Sequence, residues 1–227
     1  MADLVVHRLG LSAYEPVFAA MKNHVEAMAA DTPDQAWLVQ HLPVFTQGQA
    51  GRPEHLLAPG DIPVVQVDRG GQVTYHGPGQ WVIYPLLELR RMQLDIRRLV
   101  GALEQTAIDV LAGYGIEAQR HCGAPGVYVG SAKIASIGLR VRRGRSYHGL
   151  AFNTDMDLSP FQRINPCGFA GLPMTQLKEL LPSAAMPAPA EVADNLLSQL
   201  AANLGYTGWR DADCLPAALA TEPADDR

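Results

Sequence analysis

The stretch Arg69-Gly70-Gly71-Gln72-Val73-Thr74-Tyr75-His76-Gly77-Pro78-Gly79-Gln80 constrains this chain more than any other. Its four glycines and one proline let the backbone pass close to another surface, while Arg, Thr, Tyr and His orient whatever lies there. A run of strand-forming residues follows at 81–87, which places the stretch at a strand edge or at the mouth of a sheet. The same glycines also suit a plain hairpin with Gly77-Pro78-Gly79 as its turn, and on their own they leave both possibilities open. Two further residues tip the balance toward a site: a lysine within a strand at 133 and a cysteine within a turn at 167.

Hairpin and helix patterns mix along the rest of the chain. Leu4-Val5-Val6 begins a short strand, and Ser12 and Glu15 have the spacing of a capping box ahead of Val17, Met21, Val25 and Met28 at helical spacing. Strands are expected at 37–45 and 63–67, with a loop over 48–60 between them. A helix is expected from about 95 to 112, with Ile96, Leu99, Val100, Leu103, Ala107 and Val110 as its apolar stripe and Gly113 or Gly115 as its stop. Strand signals return at 126–129, 133–141 and 147–152, with Arg143-Gly144-Arg145 as a hairpin turn. Proline and glycine punctuate a loop over 155–171, 182–189 reads as a linker, and 190–203 reads as a helix with Val192, Leu196, Leu197 and Leu200 on one face. Without a regular strand–helix alternation, this pattern indicates an α+β domain with a mixed sheet. Residues 211–227, acidic and rich in alanine, read as a frayed tail.

At 227 residues the chain can bury one substantial core or two small ones. A net charge of −5 argues against nucleic acid as a partner. No apolar run approaches membrane-spanning length and residues 1–10 carry no signal-peptide pattern, so a cytoplasmic protein with no membrane partner is expected. Cys122, Cys167 and Cys214 are odd in number and lack CxxC spacing, which suits a reducing compartment and argues against a disulfide framework or a metal cage.

Cys167 lies in Ile164-Asn165-Pro166-Cys167-Gly168, where proline before and glycine after put it at the tip of a turn. Backbone N–H groups there are expected to be free to face a bound carbonyl, which makes this thiol a nucleophile candidate as well as a small buried hydrophobe. A thiol gains from a cationic neighbour, and Lys133 can supply one. In Lys133-Ile134-Ala135-Ser136-Ile137-Gly138-Leu139-Arg140-Val141-Arg142, alternation puts Lys133 on the apolar face with Ile137, Leu139 and Val141, unless a bulge at Gly138 reverses it. His76 and His148 each neighbour a tyrosine and could line a site or serve as structural histidines. His121 and Cys122 are adjacent in an extended chain, point to opposite faces and make a poor couple. Arg140, Arg142, Arg143 and Arg145 cluster on one hairpin, either as a solvated face or as a dock for an acidic partner.

Three motifs, RGGQVTYHGPGQ, PGVYVGSAKIASIGLRVRRGRSYHGLAFN at 125–153 and NPCG, resemble the lipoyl(octanoyl) transferases, the octanoyl-carrier-protein:protein N-octanoyltransferases. The similarity runs from about 41 to 177 in the family's order. Two departures are small: Ser136 stands where alanine is common, and Gln40-His41-Leu42-Pro43 alters the early motif. The resemblance implies a fold like the catalytic module of the biotin and lipoate protein ligases, in one catalytic domain over 1–210. It implies an acyl-enzyme on Cys167 with Lys133 activating the thiol, and no cofactor or metal. Substrate contacts are implied at Arg69, Gly70, Gly71, Gln72, Val73, Thr74, Tyr75 and His76, at Ser136, Ile137 and Gly138, and at Gly149, Leu150 and Ala151. The implied donor is octanoyl-acyl carrier protein, and the implied acceptors are lipoyl domains of 2-oxoacid dehydrogenase complexes and the glycine cleavage H protein. An ATP-dependent ligase on the same fold, a silent module that binds acylated proteins and a thioester hydrolase are the competing readings.

Overall fold

The computed structural model describes residues 3–216 and 219. The chain opens with β1 (Leu4–Ser12), α1 (Tyr14–Ala27), β2 (Gln35–His41) and β3 (Val44–Gln47). The strand expected over 37–45 is thus divided: Leu42 is exposed, Pro43 has no amide to give a ladder, and the chain leaves one sheet for another there. The capping box expected at Ser12 and Glu15 does not form. Ser12 is still paired with His41 in β1, its hydroxyl donates to the Leu9 carbonyl at 2.9 Å, and the helix begins after Ala13 with no side-chain cap.

Next come β4 (Val64–Gln66), β5 (Val73–His76), β6 (Gln80–Leu86) and α2 (Ile96–Gly113). Asp95 caps α2 by accepting the Arg98 amide at 2.8 Å. Of the expected stripe, Leu99, Leu103, Ala107 and Val110 are buried, whereas Ile96 in the first turn is 46% exposed. The chain continues through β7 (Gln119–His121), β8 (Ala124–Val129), β9 (Ala132–Arg142) and β10 (Arg145–Asn153). Arg143 (φ 54°) and Gly144 (φ 85°) form the two-residue turn between β9 and β10, and Arg145 is already strand. Finally come α3 (Leu177–Leu180), α4 (Pro189–Leu204) and β11 (Trp209–Asp211).

Eight strands form one mixed sheet in the order β11-β1-β2-β6-β10-β9-β8-β7, and β4-β3-β5 form a second. One face of the large sheet packs on α2 and α4 through Leu103, Leu196, Leu200, Ile134 and Phe152, among others. The other face packs on α1 through Val17, Met21, Trp37 and Tyr147. Residues 182–189 therefore do not mark a domain boundary, because α4 is an integral part of the core, with Val192, Leu196, Leu197 and Leu200 fully buried. Gly205, left-handed at φ 81°, ends that helix as the sequence pattern of a C-cap requires.

The proposed end of the domain near 210 falls inside β11, which pairs in parallel with β1. Beyond it the Ala212 amide donates to the Val6 carbonyl at 2.7 Å, and residues 217, 218 and 220–227 of the expected tail lie outside the described residues. Among the described residues, no helix is long and apolar enough to cross a membrane. Leu196→Ala should cost about 2–5 kcal/mol in urea unfolding with an unchanged m-value, since its side chain is enclosed between α2 and the sheet.

Candidate active site

The site lies where the large sheet, the small sheet and the 154–176 loop meet. Its key feature is a β-bulge. On β8, Val127 faces Ala135 and Tyr128 faces Lys133, so Ile134 is the extra residue of β9. Ile134 and Ala135 both enter the α2–α4 core, while Lys133 turns to the opposite face, the one carrying Ser136 and Gly138. Lys133 is buried as expected, but by a different route: the bulge is at Ile134 and not at Gly138, and Lys133 does not share a face with Ile137, Leu139 and Val141.

Lys133 is fully buried. Its Nζ donates to the Pro125 carbonyl at 3.0 Å and to Cys167 Sγ at 3.2 Å, and lies 5.0 Å from the centre of the Tyr128 ring. Burial works to lower the lysine pKa, but the charge of Cys167 and the Tyr128 hydroxyl outweigh it, so the net direction is upward and the ammonium is the resting form. The segment after the cysteine binds back to the same strand residue: the Lys133 amide donates to Pro173 at 2.9 Å and the Thr175 amide to the Lys133 carbonyl at 3.0 Å. Strand and turn are thereby held at a fixed spacing.

Cys167 itself is left-handed at φ 56°, ψ 17°, in a single 3-10 turn spanning Pro166–Gly168. For a residue with a Cβ that conformation costs roughly 1–2 kcal/mol. The expectation of free amides at this turn holds only for Cys167 itself, whose amide has no hydrogen-bond partner among the described residues. Gly168 N–H donates to Asn165 at 2.9 Å and Phe169 N–H to Pro166 at 3.1 Å, so both amides serve to close the turn. The Asn165 amide is spent on His55 at 2.9 Å.

A cavity of about 400 Å³ opens beside this pair, within the size range of small-ligand pockets. Its walls include Arg69, Gly70, Gly71, Gln72, Thr74 and His76, then Ser136, Ile137, Gly138, Gly149, Leu150 and Ala151. Two expected contacts do not line it. Strand alternation in β5 points Val73 and Tyr75 the other way, into a separate core with Phe45 and Phe161. Gly138 and Gly149 face each other across β9 and β10. A Cβ on Gly149 would collide with the Ile83 carbonyl, and one on Gly138 would meet Arg69 Cδ at 2.8 Å.

The loop before β5 is wound around Arg69, whose buried guanidinium donates to the carbonyls of Gly70, Gln72 and Thr46 and to the Thr46 hydroxyl. All four partners are neutral, and burial lowers its pKa. His76 is held between Gln80 Oε1 at 2.7 Å and Thr46 Oγ1 at 3.3 Å. Burial first, then the charge of His41, pushes it down to about 3. His41, against the Tyr84 hydroxyl at 2.7 Å, is brought down to about 4, chiefly by burial. His148, at φ 58°, meets Asp68 Oδ1 at 3.0 Å, and burial lowers its pKa despite that carboxylate.

The sequence pattern does not reveal several lining residues: Tyr14 from the start of α1, Tyr84 from β6, Ile96 and Val100 from α2, and Phe169. Cys122 and Cys214 are exposed and do not themselves line the cavity, although Gly123, next to Cys122, does. On the basic hairpin, Arg142 pairs with Glu26 and Arg145 with Glu88, so half of the four cations are already neutralised.

Residues 13–201 match the family model of the lipoyl protein ligase A/B catalytic domain. The octanoyltransferase of Hahella chejuensis (strain KCTC 2396) is 61% identical over 213 residues, 94% of either chain. A solved lipoate-protein ligase A bound with ATP aligns with a TM-score of 0.74 at 13% identity, over 93% of this chain and 89% of that one. The biotin protein ligase of Aquifex aeolicus in complex with biotin and ATP gives 0.57 at 13% identity, over 89% and 70%. At such identities the two structures speak for the fold alone, and they bear out the expected α+β ligase-like domain.

Two outcomes follow from the geometry. Gly126 has φ 134°, and a Cβ there would meet the Ala135 carbonyl at 2.5 Å and Lys133 Cε and Nζ at 3.1 and 3.2 Å. Gly126→Ala should therefore displace Lys133 and slow iodoacetamide alkylation of Cys167 at pH 7 by at least about tenfold, read by peptide mass spectrometry. The second concerns acid stability. Below about pH 6.5 unfolded chains protonate His41 and His76, whereas the folded protein does not until about 4 and 3. Stability contributed by these histidines is thus intact at pH 7 and lost as pH falls through that window, at up to about 2.7 kcal/mol per pH unit for the two. Urea midpoints at pH 5 should lie clearly below those at pH 7, and the His41→Gln/His76→Gln double variant should flatten the difference.

Proposed function

This chain belongs to the family of the lipoyl protein ligase A/B catalytic domain, and from that membership we propose that it works as an octanoyltransferase through a covalent thioester on Cys167. It is an acyltransferase of protein lipoylation. The observation that carries the covalent mechanism is the ammonium–sulfur contact of 3.2 Å between buried Lys133 and half-buried Cys167 at the wall of an open cavity. A ligase reaction through an adenylate has no need of that sulfur.

In the first half-reaction the Cys167 sulfur attacks the carbonyl carbon of an octanoyl thioester on an acyl carrier protein. A new C–S bond forms, the old one breaks, and the Lys133 ammonium gives its proton to the departing thiolate. Exchange of one thioester for another is nearly balanced, so no nucleotide is required. The Gly168 and Phe169 amides are engaged in the turn, which leaves the ammonium beside the sulfur as the principal charge facing the tetrahedral oxyanion.

Acylation then changes the lysine. What held its pKa up was first of all the charge of Cys167, and a thioester has none, so burial then favours the neutral amine with only Tyr128 left to oppose it. In the second half-reaction a neutral lysine amine of a lipoyl domain attacks the thioester carbon. Lys133 takes the proton that the attacking nitrogen loses, the C–S bond breaks, and the thiolate and ammonium are restored with an amide as product. One residue serves as acid and then as base because the charge of its neighbour alternates. The carrier protein as donor, lipoyl domains of 2-oxoacid dehydrogenase complexes and the glycine cleavage H protein as acceptors, and a cytoplasmic working place belong to this proposal. The apolar wall formed by Ile137, Leu150 and Val100 is where an eight-carbon chain gains about 0.8 kcal/mol per buried methylene.

Intact-protein mass spectrometry after mixing with octanoyl-carrier protein, without ATP, tests the mechanism. Wild type should gain one octanoyl group and lose it on addition of a lipoyl domain, and Cys167→Ala should gain none. Transfer by Cys167→Ala from free octanoate and ATP would move the protein to the ligase class. Release of octanoate without an acceptor, as fast as transfer, would make it a hydrolase.

A further inference from the structure

Glu104 lies in the middle of α2, only 8% exposed, between Leu103 and the core residue Ala107. A carboxylate in such a place needs partners. Its Oε1 accepts the Gly126 amide at 3.0 Å, and its Oε2 accepts Arg120 Nε at 3.0 Å. The amide of Gly126 and the carbonyl of Pro125 are two ends of one peptide unit, and that carbonyl accepts Lys133 Nζ at 3.0 Å. The contacts therefore form a line: Arg120, Glu104, the 125–126 peptide, Lys133, Cys167. A carboxylate on the N–H end of a peptide polarises it and enriches the oxygen at the other end.

We infer that Glu104 is a positioning residue: through the 125–126 peptide it holds the Lys133 ammonium against Cys167. The inference rests on the reading of Lys133 and Cys167 as the reacting pair. Gly126 fits this role because its missing Cβ leaves room for Lys133 Cε and Nζ directly above it. The other groups around the ammonium are Cys167 from its turn, the Tyr128 ring from β8 and, across the cavity, Arg69. Arg120 moderates the carboxylate from the β7 side, and is itself held by the Gly101 carbonyl and Gln105. A carboxylate that merely satisfies a buried amide would be replaceable by any oxygen acceptor; one that sets the charge state of Lys133 would not.

The chain has three lysines, Lys22, Lys133 and Lys178, so a titration of lysine 13Cε signals resolves each, with Lys133 assigned by its loss in Lys133→Arg. The measurement is made in Cys167→Ala, where no thiolate holds the ammonium. Glu104→Gln keeps an oxygen for Gly126 and removes the charge, and should lower the Lys133 midpoint by about one pH unit, a tenfold change in its protonation equilibrium. Arg120→Gln frees the carboxylate from its cation and should raise the midpoint. Opposite shifts support the inference; no shift, or shifts in the same direction, overturn it. If Glu104→Gln does not fold, the Arg120 variant decides alone, a rise supporting and an unmoved midpoint refuting. The titration contains no substrate, so a failure of octanoyl transfer does not alter what these midpoints say about Glu104.

Discussion

A buried ammonium in contact with a half-buried sulfur is the interaction around which this site is organised. Taking a lysine out of water costs several kcal/mol unless charge and hydrogen bonds repay it. Here a backbone carbonyl, an aromatic face and the cysteine do so together. The arrangement needs a bulge to turn one residue of β9 away from the hydrophobic core, a glycine beneath it and a turn that brings the cysteine to meet it. Remove any of these and the lysine either floods its pocket with water or loses its charge.

The backbone strain at Cys167 fits the same logic. Proline before it and glycine after it set the turn, and the turn uses its own amides to close. That leaves the sulfur held rigidly by main-chain bonds, with the 173–175 segment tying the loop back to Lys133. A strained conformation persists at the proposed nucleophile because the surroundings over-determine it. The wall opposite is equally fixed, since Arg69 is wrapped in carbonyl oxygens and His76 is kept neutral between two side chains. A rigid polar rim with an apolar slot suits a chain that is greasy at one end and reactive at the other.

Much of this was legible in the sequence, for definite reasons. A glycine-rich stretch beside a strand, a lysine in a strand and a cysteine between proline and glycine are local patterns, and each lies where the pattern placed it. Alternation bears on two places in instructive ways. At Lys133 the bulge at Ile134 is set by pairing with the neighbouring strand β8, which period-two counting along β9 alone does not see. In β5 the same counting does hold, and it takes Val73 and Tyr75 out of the cavity, whereas the family resemblance implied contacts along the whole strand. The Ser12 capping box failed because tertiary pairing kept Ser12 in β1. Glu104, Tyr14 and Tyr84 come from helices and strands distant in sequence, and no local signal marks them as neighbours of the site.

At the centre of the proposed mechanism, one lysine acts as acid in the first half-reaction and as base in the second. Single-turnover discharge of isolated octanoyl-Cys167 enzyme to a lipoyl domain, followed in wild type and Lys133→Arg from pH 6 to 9, tests this most directly. An arginine can still sit as a cation beside the sulfur but cannot accept a proton at these pH values. The variant should become acylated yet discharge at least about a hundredfold more slowly than wild type, within the usual range for general base catalysis. Discharge at the wild-type rate would contradict the dual role, leaving Lys133 as a charge for the thiolate and no more.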